Sequence, residues 1–231
     1  MPHTMKSPID KQEILASHAL FKGLDRAIIA RLASRAVTQR TKVGTTLFRK
    51  GDSGSRLYAV CSGAVKISSP SENGKDAILN SIGAGQVFGE IAALDGGVRT
   101  ADAITLEDCE FMIIERRDIL DLMREHPDVA HKFIEVLCMR IRHTSEQVED
   151  IVFLGLPARL AKTLLQRSQG AMASIRATQQ ELSQIIGTSR ESTNKQLREW
   201  EKQGFIKLGR GTVSILSQDA LKNIMSENDA G

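Results

Sequence analysis

The sequence predicts an α+β protein with a compact antiparallel β domain, a long helix, and a small C-terminal domain of helices and a hairpin. Three observations predict this fold. Short apolar runs separated by turn residues extend from about Thr45 to Glu115, helical spacing then continues for about forty residues, and two closely spaced helix patterns follow Pro157. We therefore expect two domains joined by a long helix.

Composition limits the class of protein. The chain has 231 residues, of which 41% are hydrophobic and 26% are charged, as in ordinary globular proteins. No run of about 18 apolar residues occurs, and the opening MPHTMKSPIDKQEIL lacks the pattern of a signal peptide. We therefore expect a cytoplasmic protein without a membrane partner.

Charge is divided unevenly along the chain. From Gly155 onward, 11 Lys and Arg face 7 Asp and Glu, whereas the preceding residues carry 20 against 21. A basic C-terminal domain favours a polyanionic partner.

The cysteines Cys61, Cys109 and Cys138 lie far apart in apolar runs without CxxC spacing, so we expect buried thiols and no metal site.

The first part of the chain changes period. KQEILASHAL and RAIIARLASRAV repeat apolar residues every three or four positions, which predicts two short helices over residues 10–37. The short runs that follow predict a compact antiparallel barrel or sandwich. Their turn signals are Gly51-Asp52, Ser69-Pro70, Asn73-Gly74 and Gly83 to Gly85.

A long helix follows RRDILDLMREHP and extends to Gly155. One strip of this helix, which we call the heptad strip, has alternating spacings of four and three: Ala130, Ile134, Leu137, Ile141, Thr144, Val148 and Ile151. Such a strip favours a parallel homodimer, although it could instead pack on its own barrel. Thr144 places a hydroxyl in the strip, beside Ser145, which costs stability unless a partner satisfies it.

The last third predicts a helix-turn-helix. PARLAKTLLQRSQG forms a helix from Pro157 to Gly170, and TQQELSQIIG and TSRESTNKQLREWEKQG follow. Thr178 with Glu181 and Thr188 with Glu191 both have the spacing of a capping box. The three-residue connection Gly187-Thr188-Ser189 is typical of the motif. A hairpin is expected around Gly209-Arg210-Gly211.

The second helix of this pair has two faces. Thr193, Leu197 and Trp200 share the packing face, and polar residues share the other. Arginine can hydrogen-bond to guanine, and glutamate can accept a hydrogen bond from cytosine, so this face could read DNA bases. The alternative is that Glu191 and Lys195 form an ordinary ion pair on the surface of the helix. Together with the turn and the basic charge, this pattern predicts a DNA interface. Its residues are Thr188, Ser189, Arg190, Glu191, Asn194, Lys195 and Arg210.

The stretch FGEIAALDGGVRTADA has the parts of a phosphate cradle. Gly89 and Gly96-Gly97 can close a loop whose N–H groups point inward, and Arg99 adds positive charge. No GKS, GKT or GxGxxG pattern is present, which excludes a triphosphatase or Rossmann loop. Glu90 fits this site if it accepts a hydrogen bond from a sugar hydroxyl while Arg99 and Thr100 hold the phosphate. The alternative is a hairpin in which Glu90 and Arg99 pair across strands.

These features resemble the CRP/FNR family of bacterial transcription regulators, over roughly Leu20 to Leu216. The resemblance implies a jelly-roll-like β-roll for a cyclic nucleotide over residues 10–127, a dimerisation helix over 128–154 and a winged helix-turn-helix over 155–231. It also implies ribose and backbone contacts by Gly89 and Glu90, and phosphate contacts by Arg99 and Thr100.

The stretch RHTSEQVEDIVFLGLPARLAKTLL is especially similar to the cAMP-binding regulators of that family. Their paired Thr and Ser contact adenine from two subunits, which implies this role for Thr144 and Ser145. Base reading falls on Arg190, Glu191 and Lys195. The resemblance thus implies a non-enzymatic homodimer that binds palindromic double-stranded DNA and contacts RNA polymerase.

Some residues depart from the family pattern. The interval from Gly89 to Arg99 is one residue shorter than in the catabolite activator, and Thr100 replaces a serine, so the resemblance favours cAMP as the effector and leaves cGMP or another effector as the alternative. Lys195 replaces an arginine and lacks its planar fork. The cysteine cluster of iron–sulfur members is absent and the histidines suggest no haem ligand pair, so neither metal nor haem is expected. A second hypothesis is a nucleotide-binding regulatory subunit whose C-terminal helices hold a protein.

Overall fold

The computed structural model describes residues 11–18, 20–70, 76–168 and 174–227. Contacts divide the chain into two compact units, the first within Met1–Glu72 and Leu79–Met139, the second mainly within Arg140–Gly231. Predicted turn residues at Asn73-Gly74 and Gly170 lie outside the described residues. No described helix combines the length and apolar character needed to cross a membrane.

The first unit is a β-roll flanked by helices. Its helices are α1 (Lys11–Ser17), α2 (Arg26–Arg35), α3 (Glu90–Asp95) and α4 (Arg116–Glu125). Its strands are β1 (Val37–Thr41), β2 (Thr46–Phe48), β3 (Arg56–Ser62), β4 (Ala64–Ser69), β5 (Ala77–Gly83), β6 (Val87–Phe88), β7 (Asp102–Thr105) and β8 (Cys109–Glu115).

These strands form two four-stranded sheets, in the orders β1-β8-β3-β6 and β2-β7-β4-β5. The pairs β1 with β8, β3 with β8, and β4 with β7 are antiparallel. Buried side chains from both sheets, including Val65, Phe88 and Phe111, form one core cluster. The predicted α+β class and antiparallel β-roll are confirmed.

A long helix, α5 (Pro127–Phe153), follows α4. The remaining elements are α6 (Leu156–Arg167), β9 (Ser174–Arg176), α7 (Gln179–Ile186), α8 (Arg190–Lys202), β10 (Ile206–Gly209), β11 (Thr212–Ile215) and α9 (Gln218–Glu227). Strands β10, β11 and β9 form a three-stranded sheet. Its apolar face and helices α6 to α9 enclose a core that contains Leu160, Leu197 and Trp200.

Three elements were absent from the sequence prediction. Residues Val37–Thr41 form a strand that pairs with β8, and the second helix ends at Arg35 instead of residue 37. Strand β9 is three residues long and α9 has ten residues after the hairpin. Gly63 also divides the run RLYAVCSGAVKI into two strands, because its φ of 87° permits a tight turn.

Two local predictions are corrected. Thr178 and Glu181 form the expected capping box, but the N-cap of α8 is Ser189, whose hydroxyl accepts the Ser192 N–H. The Thr188 N–H instead donates to the Ser183 carbonyl and completes the end of α7. The expectation of three buried thiols is also wrong, because Cys138 is exposed and Cys61 is half-buried.

Candidate functional site

The backbone around α3 forms a short cradle. Gly89 follows β6 and is the N-cap of α3, with a φ of 77°, and Gly96 ends that helix with the same left-handed geometry. A side chain at Gly89 would place its Cβ 2.6 Å from Arg99 Nη1. The glycine is therefore required both by the backbone and by the close approach of the arginine.

Arg99 is the buried cation of this cradle, with 4% of its surface exposed. Its Nη1 donates to the Gly89 carbonyl at 2.8 Å, and its Nη2 donates to the Arg56 carbonyl at 2.9 Å. Its guanidinium carbon lies 4.1 Å from the centroid of the Phe48 ring. Its buried Nε has no hydrogen-bond partner among the described residues.

Burial places the charge of Arg99 in surroundings that disfavour it. Burial lowers the pKa of Arg99, because desolvation disfavours the charged form, while Tyr58, Glu90 and Asp52 act in the opposite direction. An unsatisfied buried N–H on a cation is costly. An anionic oxygen close to Nε would provide both a counter-charge and an acceptor.

The other predicted cradle residues have distinct positions. Glu90 is buried at the first position of α3, and Thr100 is exposed directly after Arg99. The alternative of a hairpin with cross-strand pairing is wrong, because Glu90 begins a helix instead of lying on a strand. The structure thus brings together Gly89 and Arg99, with Glu90 near enough to influence the arginine.

Helix α5 has one buried stripe and one exposed strip. Val129, Phe133 and Val136 are buried. In the heptad strip, four apolar residues are between 54% and 65% exposed: Ile134, Ile141, Val148 and Ile151. Thr144 and Ser145 are also exposed. The buried stripe, not the heptad strip, packs on the chain's own core, which argues against the barrel-packing alternative.

Helix α8 presents the polar face that the sequence predicts. Thr193, Leu197 and Trp200 are buried, while the side chains pointing to solvent include Arg190, Glu191, Lys195 and Arg198. Within the described part of the chain, no ion pair joins Glu191 to Lys195, so the surface-pair alternative is not realised.

Three other predicted interface residues differ in environment. Asn194 is half-buried. Its Oδ1 is fully buried and accepts no hydrogen bond from any residue that the structure describes. Thr188 and Ser189 are half-buried and have the capping roles described above. Arg210 is exposed at the turn of the hairpin. Between hairpin and helices lies a cleft of about 380 Å³. Its lining includes Gln179, Gln180, Arg190, Gly209 and Gly211.

Comparison with known proteins identifies both regions. Residues 38–126 match the family described as cyclic nucleotide-binding domain, and residues 158–224 match the Crp-like helix-turn-helix domain. A CRP-like cAMP-activated global transcriptional regulator from Mycobacterium tuberculosis is 32% identical over 217 residues, covering 90% of this chain and 97% of that protein. The chain belongs to the CRP/FNR family of transcriptional regulators.

Other members of the CRP/FNR family support the assignment. The cyclic AMP receptor protein of Thermus thermophilus is 34% identical over 182 residues, covering 78% of this chain and 84% of that protein. The solved structure of a c-di-GMP responsive global regulator from Xanthomonas campestris has a TM-score of 0.76 and 25% identity. That match covers 84% of this chain and 100% of the other.

Sequence reasoning missed residues that hold Arg99 in this family member. Phe48, Gly54 and Arg56 precede the cradle by more than thirty positions and carry no motif of their own. A Cβ at Gly54 would lie 2.7 Å from Arg99 Nε and 2.6 Å from Ala92 Cβ. The available signal was the glycine pair Gly51 and Gly54 between two apolar runs, which indicates a loop but not what it encloses.

Reasoning from sequence also missed the connection between α5 and α6. Lys162 Nζ donates to Asp150 Oδ1 at 2.6 Å, with both side chains about three-quarters buried. Arg159 Nη1 donates to the carbonyls of Ile151 and Leu154 at 3.3 and 3.0 Å. These contacts tie the first helix of the C-terminal domain to the last turn of α5.

Proposed function

We propose that this chain is a homodimeric transcription regulator whose affinity for palindromic DNA is set by cAMP bound in the β-roll. The observation that carries the proposal is the buried guanidinium of Arg99, with an Nε that lacks a described partner. Such a group gains most from a phosphate, which supplies charge and acceptor oxygens together. The cAMP-activated relatives support the choice of nucleotide.

Residue roles follow from this ligand. Arg99 and Thr100 would hold the cyclic phosphate. Gly89 and Glu90 would make the backbone and ribose contacts to the nucleotide. Thr144 and Ser145 of the two subunits would contact the base. This last contact would satisfy hydroxyls that otherwise interrupt an apolar strip.

The dimer would form through the heptad strip of α5, because burying its exposed apolar side chains is favourable. Two copies of α8 would then face successive major grooves about 34 Å apart, one turn of DNA. Arg190, Glu191 and Lys195 would read bases. Asn194, Thr188, Ser189 and Arg210 would provide further DNA contacts in the same complex.

The remaining parts of the proposal follow from DNA binding. A regulator of this kind acts in the compartment that holds the DNA, here the cytoplasm, and needs no catalytic site. We propose the domain limits that the resemblance implies: 10–127 for the cyclic nucleotide-binding domain, 128–154 for the dimerisation helix and 155–231 for the winged helix-turn-helix. Contact with RNA polymerase also stays a prediction. No cluster of three or more metal-binding side chains occurs among the described residues.

A second candidate function concerns the effector. Thr100 is compatible with cGMP, and the Xanthomonas campestris regulator responds to c-di-GMP. A regulatory subunit that holds a protein instead of DNA is the more distant alternative. It would lack the steep salt dependence that several phosphate contacts produce.

The deciding experiment is a titration of a pool of labelled palindromic duplexes at several salt concentrations, without nucleotide and with cAMP, cGMP or c-di-GMP. We expect cAMP to switch on specific binding, with the logarithm of affinity falling linearly with the logarithm of salt. Equal DNA binding with and without each nucleotide would contradict the gating. Binding that no salt concentration weakens would contradict the DNA interface.

A further inference from the structure

We propose that Phe48 is a positioning residue for the phosphate site: its ring holds the Arg99 guanidinium in place before an anion arrives. The inference rests on the proposed function, since it takes Arg99 as the receiver of the nucleotide phosphate. Phe48 is the last residue of β2, about fifty positions before Arg99 in the sequence, and the sheet brings it beneath the cradle.

The geometry is that of a cation over an aromatic face. The guanidinium carbon of Arg99 is 4.1 Å from the Phe48 centroid and 5.8 Å from the Tyr58 centroid. A cation within about 6 Å of a ring centroid is attracted by the ring quadrupole, most strongly where water is excluded. The Phe48 ring is the nearer of the two platforms.

The half-buried Phe48 ring packs against two other aromatic rings. Phe48 contacts the rings of Tyr58 and Phe88, with centroid separations of 5.8 and 6.0 Å. Tyr58 and Phe88 are stacked at 4.9 Å within the core of the β-roll. A ring fixed by core packing can fix the orientation of the group that lies over it.

Three contacts then determine the position of Arg99. The Gly89 and Arg56 carbonyls accept hydrogen bonds from Nη1 and Nη2, and the Phe48 ring lies against the guanidinium carbon. The ring face also offsets part of the desolvation that opposes charge at this site. A long flexible side chain is thereby ordered before the ligand binds, which reduces the entropy cost of binding.

The competing explanation is that Phe48 is an apolar core residue whose electronic character is irrelevant. A stepwise fluorinated series separates the two, because fluorination weakens the ring quadrupole with little change in shape. We would replace Phe48 with mono-, di- and trifluorophenylalanine and measure the affinity for cAMP. We expect Kd to rise at each step, by about tenfold across the series.

Phe111 provides the matched control. It is fully buried in the same cluster and packs against Tyr58 and Phe88 with centroid separations of 6.0 and 5.8 Å. The same fluorinated series at Phe111 should leave Kd unchanged. Phe48→Leu should weaken binding by at least about tenfold, and Phe48→Tyr should retain it. A flat series at Phe48, or an equal trend at Phe111, would overturn the positioning role.

A second measurement does not depend on nucleotide binding. In ligand-free protein, the NMR signal of Arg99 Nε–H should carry the ring-current shift of Phe48, and Phe48→Leu should abolish it. If the wild type binds neither cAMP nor cGMP but this shift is present, the proposed function fails while the holding of Arg99 by Phe48 stands. A wild-type signal without the shift would overturn the inference itself.

Discussion

At the scale of single residues, Arg99 combines a buried charge, two carbonyl partners and an unsatisfied Nε. Such a cation is expensive in the absence of a ligand and strengthens binding when a phosphate satisfies it. The affinity of the site should therefore depend far more on this side chain than on the exposed arginines of the same domain.

We predict that Arg99→Ala weakens cAMP binding about 100-fold, since a charge-assisted contact to phosphate is lost. Arg99→Lys should recover little, because an ammonium cannot reproduce the planar fork. Calorimetric titration measures the effect. The matched control is Arg40→Ala, which removes an exposed guanidinium paired with Glu110 and should leave Kd unchanged. An Arg99→Ala protein with wild-type affinity would exclude the cradle.

Cysteine reactivity provides a second residue-scale prediction. At pH 8 a thiolate-directed reagent should label Cys138 first, because that side chain is exposed, while burial raises the pKa of Cys61 to about 11. Labelling of Cys61 should remain slow until the pH approaches 11. Mass spectrometry of the labelled peptides measures both rates, and equal rates at pH 8 would contradict the packing around β3. Cys138→Ser should remove the fast phase.

At the scale of elements, α5 and α8 are amphipathic helices with different uses for their second face. The buried stripe of α5 attaches the helix to the first unit, while the heptad strip stays exposed in a single chain. Exposed isoleucines at heptad spacing are a cost to the monomer and a gain to a dimer.

We predict that the wild type is a dimer, as proposed, and that Ile141→Glu is a monomer, because the substitution would bury unpaired carboxylates at the centre of the strip. Sedimentation equilibrium measures the mass directly. Met139→Glu is the matched control on the same helix, since Met139 is also exposed but lies outside the strip. Retention of the dimer in Ile141→Glu would assign the strip another partner.

Helix α8 carries the second element-scale prediction. Arg190→Ala should relax the preference at one base pair of each half-site, costing about 1–3 kcal/mol against the preferred duplex. Competition with a library of single-base variants checks this. Arg167→Ala, at the end of α6, removes an exposed arginine from another helix and should leave base preference unchanged. A uniform loss over all sequences would make Arg190 a backbone contact.

At the scale of the whole molecule, regulation requires that the nucleotide and the DNA favour the same state. Leu154 and Gly155 alone separate α5 from α6, and the contacts from Lys162 to Asp150 and from Arg159 to the last turn of α5 span that linker. These contacts give the linker a defined geometry, through which a shift of α5 would reach the C-terminal domain.

We predict that Lys162→Met reduces the coupling between the two ligands severalfold. Coupling is reciprocal, so the factor by which cAMP raises DNA affinity must equal the factor by which DNA raises cAMP affinity. Both factors are measured by titrating each ligand at saturating levels of the other. Exchange of the two charges, Lys162→Asp with Asp150→Lys, should restore part of the coupling. Undiminished coupling in Lys162→Met would exclude the contact from signal transmission.

The sequence by itself determined the features that are local. These features follow from residues that are near one another along the chain. They are the helical and strand periods, the glycines at positions 89 and 96, the helix-turn-helix spacing and the Arg99 cradle. The N-cap of α8 shows the limit of this reasoning. Thr188 and Ser189 both suit the position, and the way α7 ends, with Thr188 N–H on the Ser183 carbonyl, decides for Ser189.

Tertiary structure decided what depends on distant segments. Phe48, Gly54 and Arg56 meet Arg99 because β2, β3 and the loop between them fold around the cradle, and no short-range pattern encodes that meeting. Cys138 is likewise exposed because it lies outside the stripe of α5 that packs on the core. Local propensity acts between near neighbours, whereas burial is a property of the assembled surface, so such contacts become visible in the folded chain.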